Sequence, residues 1–325
     1  MVGVLEAAGE ATRLRLLALL AEAELTVSEL MVILGQSQPR VSRHLRLLME
    51  AGLAQRHREG AWAFFRLRDD GPAATLAKTL QTQLDLADPV LVADRSRLAD
   101  ARRQRSELAS AYFARHAATF DEIRALHVEE AHVEAALQGA LGRHPLGALL
   151  DIGTGTGRML ELFAPQASAA LGVDQSPAML ALARDRLAGA AYKHVQLRQG
   201  DVYALPVEPD SQDVVIIHQV LHYLDEPARA LREAARALAP GGRMIVVDFA
   251  PHEIESLRTD HAHRRLGFAR DEIGAALQDA GLEVRSVKSL AARPGVERKL
   301  TVLIFMARDK RRRVFETLSS AKELV

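Results

Sequence analysis

Apolar residues recur at helical spacing over residues 4–23, and polar residues fill the positions between them. Thr26 then precedes VSELMVILG with Glu29 three positions on, a capping-box pattern that predicts a short helix stopping at Gly35. Ser37 opens the next helical stretch, QPRVSRHLRLLMEA, with Pro39 in its first turn and Gly52 as its stop. Two short helices joined by a tight, glycine-containing turn make a helix-turn-helix. LAQRHREGAWAFFRL follows with strand-like alternation around Glu59-Gly60, which predicts a β-wing. Residues 72–86 are again helical by pattern. Asp88-Pro89 then reads as the cap and first-turn proline of a long helix extending through VLVADRSRLADARRQRSELASAYFARHAATF. Leu91, Leu98 and Tyr112 fall at multiples of seven, Arg105 interrupts the set, and Leu108 fits a three-four seam. Such a helix packs on a second copy, packs on the next domain, or serves as a solvated spacer.

From about residue 146 the pattern changes to alternating strands and helices. The predicted strands are GALLDIG, AALGVD, VQLRQGD, DVVIIHQ, GGRMIVVDF, LEVRSVKSL and KLTVLIFMAR, with helices between the first five. Only AARPGVER separates the last two, which predicts a closing antiparallel hairpin. The expected fold is therefore two domains: an N-terminal, mainly α winged helix-turn-helix, and a C-terminal α/β doubly wound, mostly parallel sheet whose site lies at the carboxyl ends of the strands. The expected divisions are 1–70 for the winged helix-turn-helix, 71–110 for a helical connector, 111–309 for the α/β domain and 310–325 for a basic tail.

Composition narrows the chemistry. The 325 residues carry 42 Lys plus Arg and 42 Asp plus Glu, so net charge is silent about partners. Local charge is not. Between Gln36 and Arg68 stand seven arginines against two acids, Glu50 and Glu59, the kind of excess a phosphate backbone selects. The tail RDKRRRVFETLSSAKELV is also basic; it either brushes DNA or is simply solvated. There is no cysteine, which removes disulfides, thiolate metal sites and cysteine nucleophiles together. No metal site is expected: His127 and His132 flank Glu129 and Glu130, but their spacing does not put both rings on one helix face. No apolar run reaches the ~18 residues that span a bilayer, and MVGVLEAAGEATRLRLL lacks a signal-peptide pattern, so a cytoplasmic protein is expected.

The polar residues of the second short helix follow groove geometry. Ser37, Gln38, Arg40, Ser42, Arg43, His44 and Arg46 lie early on it, where a recognition helix offers side chains to base edges and phosphates. Val41, Leu45 and Leu48 form the opposite stripe, and Arg56 and Arg58 flank the wing. EATRLRLLALL, LTVSELMVILGQSQPRVSRHLRLLMEAGL and REGAWAFFRL resemble the ArsR/SmtB family of winged-helix repressors over about the first 70 residues. That resemblance implies a homodimer reading a palindromic double-stranded operator. Many members sense metals through cysteines in the helix that here reads LTVSEL. This chain has Thr26 and Ser28 there, so thiolate sensing, arsenite included, is excluded.

The stretch LLDIGTGTGRML carries the second motif. Gly153, Gly155 and Gly157 alternate after Asp151, which ends a strand. A dinucleotide fingerprint brings pyrophosphate onto a helix N-terminus. Asp151 argues against that, because it repels a phosphate, whereas it can order a water or hold an ammonium. Thr154 and Thr156 add hydroxyls. Asp174 ends the next strand, about twenty residues on, where an acid can accept from both ribose hydroxyls. Asp201, in QGDVYALP, ends the third, where a carboxylate can accept from an exocyclic adenine amine.

Over roughly residues 110–308 these residues look like a class I S-adenosylmethionine-dependent methyltransferase of Rossmann-like fold: DIGTGTGRML, GVDQSPAML, QGDVYALP and HQVLHYLDEPARALREAARALAPGGRMIVVDF match its successive motifs. YFARHAATFDEIR resembles the leading helix that lies over the cofactor. The resemblance implies S-adenosylmethionine or S-adenosylhomocysteine as ligand. It sets Asp151, Gly153, Thr154, Gly155 and Gly157 at the methionine part, Asp174 at the ribose, Asp201 and Val202 at the adenine and His218 near the sulfonium, with Tyr112, Gln175, Met179 and Gly200 completing the contacts. The whole chain resembles bacterial fusions of an ArsR-type regulator with a methyltransferase.

Methyl transfer from a sulfonium is largely positioning, and needs a base only if the acceptor must lose a proton. His218, His222 and Tyr223 are the candidates for that work; cofactor packing for His218 and a satisfied buried ring for His222 are the alternatives. In DHAHRRLGF, His261, His263, Arg264 and Arg265 either contact substrate, the arginines clamping an anionic acceptor, or pack a lid. No aromatic cage names an acceptor, and no Asn/Asp-Pro-Pro-aromatic motif follows HQVLHYLDEP to take a flipped base. Two functions remain: a regulator that couples S-adenosyl ligand binding to DNA binding, and an active methyltransferase on a small molecule that uses its winged helix for autoregulation.

Overall fold

The computed structural model describes residues 2–59, 62–68, 71–121, 129–142, 144–291 and 300–311. His127, Gly60 of the predicted wing turn and most of the basic tail lie outside the described residues. The chain forms two compact units. The first comprises Met1–Tyr112, Tyr223–Glu226 and Pro251–Leu266; the second comprises Phe113–His222, Pro227–Ala250 and Gly267–Val325.

In the first unit the apolar run over 4–23 is two helices, α1 (Val2–Ala8) and α2 (Ala11–Glu22). The break is local chemistry: Glu10 takes an extended conformation and its carboxylate caps α2 by accepting from Arg13 N at 3.0 Å. Strand β1 (Leu25–Thr26) leads into α3 (Val27–Leu34), α4 (Gln38–Glu50), β2 (Ala54–Glu59) and β3 (Trp62–Leu67). The capping box forms as the sequence predicts. Glu29 N donates to Thr26 Oγ1 at 3.3 Å, and Thr26 N donates to Glu29 Oε2 at 2.7 Å. Gly35 closes α3 at φ 64°, a left-handed turn in which a β-carbon is strained. The three strands pair antiparallel in the order β1-β3-β2, and the wing register sets Glu59 opposite Trp62. Leu16, Leu20, Leu30, Ile33, Val41, Leu45, Leu48 and Phe65 form one buried core. The helix-turn-helix is thus held by its apolar stripes.

Helices α5 (Gly71–Thr82) and α6 (Pro89–His116) follow. Asp88 Oδ1 accepts from Val90 N at 2.7 Å at the predicted start of α6. This long helix is not a spacer: it is anchored on its own winged helix. Buried Asp94 takes a two-pronged grip from Arg15 of α2, at 2.6 and 2.7 Å, and a third contact from Arg97 at 2.9 Å. Arg97 and Arg102 also donate to the Ile33 and Glu22 carbonyls at 2.9 and 2.7 Å. Leu91, Leu98 and Tyr112 of the seven-residue set are buried, whereas Leu108 is exposed.

The second unit contains α7 (Glu130–Leu141), β4 (Gly147–Ile152), α8 (Arg158–Phe163), β5 (Ala167–Asp174), α9 (Pro177–Arg186), β6 (Val195–Gln199), β7 (Gln212–His218), α10 (Pro227–Ala237), β8 (Leu238–Phe249), α11 (Arg270–Asp279), β9 (Leu282–Leu290) and β10 (Val302–Asp309). The seven strands lie in the order β6-β5-β4-β7-β8-β10-β9. The first five are parallel, and β10 runs antiparallel between β8 and β9. Val214–Ile217 and Met244–Val247 are fully buried, as continuous apolar runs in the middle of a covered parallel sheet must be. One predicted helix is missing: only turns join β6 to β7, because Pro206 and Pro209 remove amide donors from that stretch. The closing hairpin forms, but with β10 inserted beside β8 so that β9 is the edge.

Removing one partner of a buried, hydrogen-bonded ion pair costs about 3–5 kcal/mol. Asp94→Ala is therefore expected to lower the unfolding midpoint of the first unit in calorimetry, whereas Asp100→Ala, an exposed acid of the same helix, leaves it unchanged.

Candidate functional site

Strand order reverses between β4 and β7 in the second unit, and it is at such a reversal, outside the carboxyl ends of the strands, that sheets of this kind carry a ligand crevice. The glycine loop after β4 forms one lip. Its three glycines have φ of 69°, 52° and 84°. At Gly153 space adds a second demand: a β-carbon there would lie 2.4 Å from Val220 Cγ2, on the loop after β7. Four of the loop's amides are already occupied. Gly153 N and Thr154 N donate to the Val173 carbonyl at 2.8 and 3.0 Å, Gly155 N to Asp174 Oδ2 at 2.8 Å and Gly157 N to the Thr154 carbonyl at 2.8 Å. Those four donors are turned inward, so they do not form a phosphate nest. Asp151 is buried and accepts from Thr154 Oγ1 at 2.6 Å. Thr156 Oγ1 donates to Asp121 at 2.9 Å and accepts from Arg186 at 2.8 Å, an anchor that sequence reasoning missed because Asp121 is remote in sequence.

Asp174 ends β5 and joins three loops. Its Oδ2 takes the Gly155 amide, its Oδ1 takes the Ser176 amide at 2.8 Å, and its own carbonyl takes the Gly200 amide at 3.1 Å. Burial pushes its carboxyl pKa up, against the pull of the Ser176 and Gly155 amides. Gln175 is exposed beside it, and Met179 is buried in the first turn of α9. After β6, Asp201 is exposed and its Oδ1 accepts from Tyr203 N at 2.9 Å, with Val202 partly exposed.

His218 ends β7 and is buried. Gln219 follows with φ of 57°, a left-handed conformation unusual for a residue with a side chain; its backbone N donates to the Val247 carbonyl at 2.8 Å, while its side-chain Nε2 is buried without a hydrogen-bond partner among the described residues. His222 Nδ1 lies 2.8 Å from Asp248 Oδ1, and His222 N donates to Asp248 Oδ2 at 3.3 Å. Both side chains are 2% exposed, so the carboxylate at the end of β8 fixes the ring. The contact holds the Nδ1 side of the ring against the carboxylate. Asp248 gave no signal in sequence, because an acid at a strand end gains meaning only when its partner is known.

The other predicted residues belong to the first unit. Tyr112 Oη lies 2.9 Å from His261 Nδ1, and Tyr223 packs edge-on against His263 with ring centroids 5.1 Å apart. Arg264 and Arg265 do not present an open anion clamp. Arg264 meets Glu29 at 3.2 Å and Asp225 at 2.9 Å, and Arg265 meets Glu24 at 2.8 Å. On α4, Ser37, Gln38, Arg40, Arg43 and Arg46 are exposed while Val41, Leu45 and Leu48 are buried. Ser42 is half-buried, and His44 leans 3.5 Å from Glu10, where burial pushes its pKa down. Arg56 and Arg58 are exposed on β2. Among the described residues no cluster of His, Cys, Asp and Glu could hold a metal ion, and no helix is long and apolar enough to cross a membrane.

Residues 150–246 match the methyltransferase domain family, and residues 10–56 match the bacterial regulatory protein, arsR family. The chain is 30% identical over 169 residues to an uncharacterized 37.1 kDa protein of transposon TN4556 from Streptomyces fradiae, covering 47% of this chain and 48% of that one. It is 32% identical over 106 residues to the uncharacterized methyltransferase YcgJ of Bacillus subtilis, covering 32% and 42%. The YcgJ crystal structure aligns with a TM-score of 0.48 at 18% identity, over 56% of this chain and 99% of that one. Trans-aconitate 2-methyltransferase of Methylobacterium nodulans is 43% identical over 112 residues, 33% of this chain and 41% of that one. The chain thus spans about half, or less, of the length of these curated relatives. It joins a regulatory domain of the arsR family to a methyltransferase domain.

Proposed function

We propose that the protein is a cytoplasmic, homodimeric transcription regulator of repressor type, whose methyltransferase domain binds S-adenosylmethionine or S-adenosylhomocysteine and couples that binding to a palindromic DNA operator. The observation that carries this reading is the polarity of α4. Its apolar stripe is buried in the core, and Gln38, Arg40, Arg43 and Arg46 stand on the exposed face. A helix that is only structural has no need for three exposed guanidinium groups, Arg40, Arg43 and Arg46, even with Glu50 3.8 Å from Arg46. Arg and Gln are also the side chains that read G and A edges in a major groove.

The crevice of the second unit fits an S-adenosyl group by its donor set. Asp174 keeps lone pairs for two ribose hydroxyls after taking two backbone amides. Asp151 brings negative charge to the loop, and the inward amides offer nothing to a phosphate. S-adenosylmethionine, when bound, supplies a methyl group on an activated sulfonium. The chain's own part is to hold the ribose at Asp174, to keep phosphates off the loop and to close the floor with Val220 against Gly153.

A second reading, methyl transfer to a small acceptor, is favoured by the His222–Asp248 pair. A buried carboxylate that fixes one ring nitrogen is how a general base is oriented, and in this reading the His222 ring takes a proton from the acceptor. Several of the similar proteins are named as methyltransferases acting on small molecules. Under this reading S-adenosylhomocysteine forms when the protein is incubated with S-adenosylmethionine and a metabolite extract. His222→Asn then abolishes turnover while calorimetric binding of S-adenosylhomocysteine persists; turnover by the Asn variant at the wild-type rate excludes His222 as the base.

For the regulator reading, fluorescence anisotropy with a duplex selected from a random pool should give a steep salt dependence. Arg43→Ala should weaken binding about tenfold or more if it reads a base, or lower the salt slope by about one if it meets a phosphate. No change in either quantity removes α4 from the DNA interface.

Asp174 binds hydroxyls as a carboxylate, and its pKa is raised, so it gains a proton at higher pH than the ordinary Asp value of about 3.9. Ligand affinity is therefore present at neutral pH and is lost as pH falls through that raised pKa. In calorimetry Asp174→Asn should cost about tenfold or more in affinity for S-adenosylhomocysteine and flatten the pH profile. A wild-type profile that stays level down to the ordinary carboxylate range rejects this role.

A further inference from the structure

Four charges in the first unit close into a ring. Glu29 Oε1 lies 3.4 Å from Arg105 Nη1, which lies 2.5 Å from Asp225 Oδ1. Asp225 Oδ1 lies 2.9 Å from Arg264 Nε, and Arg264 Nη1 returns to Glu29 Oε1 at 3.2 Å. The four side chains are only 14–23% exposed. Two positive and two negative charges balance, so removing one leaves a poorly solvated excess charge. Solvent and salt screen such partly buried charges far less than surface ones.

Each member of the ring comes from a different segment. Glu29 is the third residue of α3, inside the capping box that starts the first helix of the helix-turn-helix. Arg105 belongs to α6. Asp225 follows His222 by three residues in sequence, and Arg264 lies in the 251–266 segment between β8 and α11. The last two segments continue the carboxyl ends of β7 and β8, the strands that carry His218 and Asp248. The 251–266 segment is tied at its base: Phe268 N donates to the Phe249 carbonyl at 2.9 Å, and His252 N to the Leu266 carbonyl at 3.0 Å. Gly267 passes so close to the Ala250 carbonyl that a β-carbon would lie 2.2 Å from its oxygen. A loop closed at its neck moves as a body rather than fraying.

The far end of that loop grips the wing. The Arg258 guanidinium lies 5.3 Å from the Trp62 ring centroid and 5.4 Å from that of Phe64, and the Arg264 guanidinium 5.2 Å from that of Phe64. Arg265 meets Glu24, which also faces His57 at 3.7 Å and Arg66 at 3.6 Å. Both DNA-facing parts, the α3–α4 pair and the wing, are thereby held by segments that begin at the ends of β7 and β8.

We propose that the Glu29–Arg105–Asp225–Arg264 ring is the joint through which S-adenosyl ligand at the β7 and β8 strand ends alters the DNA-reading face. This rests on the regulator reading above. Ligands of doubly wound sheets bind outside the carboxyl ends of the strands, so the loops that continue β7 and β8 respond first. The ring converts their displacement into a change at the start of α3, and breaking it uncouples the two binding events without removing either.

Two substitutions take charge from the ring while leaving both binding faces intact. Glu29→Gln keeps a capping-box side chain, since Gln serves at that position as Glu does. Arg105→Gln alters only α6. Affinity for a duplex selected from a random pool by the wild-type chain is measured with and without saturating S-adenosylhomocysteine, and affinity for S-adenosylhomocysteine alone is measured by calorimetry. The wild type should show a ligand-dependent shift on the order of 5- to 150-fold in either direction. Both variants should bind duplex alone and ligand alone within about threefold of wild type, with the shift reduced to less than about twofold. Variants that keep the full wild-type shift overturn the ring's role and leave the regulator reading standing. A wild type with no shift overturns both. Hydrogen exchange on the wild type needs no variant: added S-adenosylhomocysteine should change protection in residues 27–34, 223–226 and 251–266 together, and unchanged exchange at 27–34 likewise overturns the proposal.

Discussion

The Asp174 carboxylate shapes the crevice of the second unit. It stands at the end of a buried parallel strand, where desolvation opposes its charge, and it is held there by the amides of Gly155 and Ser176. One of those amides belongs to the glycine loop and the other to the cap of α9, while the Asp174 carbonyl receives Gly200 from the turn after β6. Three loops therefore depend on one residue for their relative placement. In the proposed reading the same residue offers its remaining lone pairs to the ligand. A site whose recognition group also builds its walls is pre-organised, and the cost of burying the charge is met within the fold rather than at the moment of binding.

The first unit solves a different problem, which is how to hold many arginines. Those of α4 stay exposed, whereas Arg15, Arg105, Arg264 and Arg265 are each matched with a buried or half-buried acid. Equal totals of acidic and basic residues conceal this segregation. Pairing inside the unit uses acids such as Glu24, Glu29, Asp94 and Asp225, and leaves α4 with little compensation of its own beyond Glu50, 3.8 Å from Arg46.

The sequence was most legible where a local rule decides the structure. The Thr26/Glu29 capping box, the stop at Gly35 and the alternating wing strands all follow from neighbours a few residues apart. The parallel strands were legible because buried central strands need long apolar runs. Failures came where distant residues decide. Arg264 and Arg265 read equally as an anion clamp or as packing, and only Glu24, Glu29 and Asp225 show that their charge is paired within the unit; the spacer reading of the long α6 fails once Asp94 meets Arg15. The predicted helix between β6 and β7 was lost to two prolines that should have weighed against it. Asp248 and Asp121 had no sequence signature, since a lone acid becomes part of a site only through a partner on another element.

The inward-turned amides of the glycine loop also bear on competition inside a cell. Nucleotides and dinucleotides share the adenosine half of an S-adenosyl ligand and would meet Asp174 equally well. They differ at the other end, where each carries phosphates that need donors and tolerate no nearby acid. Here Gly153, Thr154 and Gly155 have spent their N–H groups on Val173 and Asp174, and buried Asp151 lies at the loop's base, bonded to Thr154. In the proposed S-adenosyl reading, rejection of the abundant adenine nucleotides falls to the backbone of one turn, so that a side-chain change elsewhere in the crevice would not turn it into a gauge of energy or redox state.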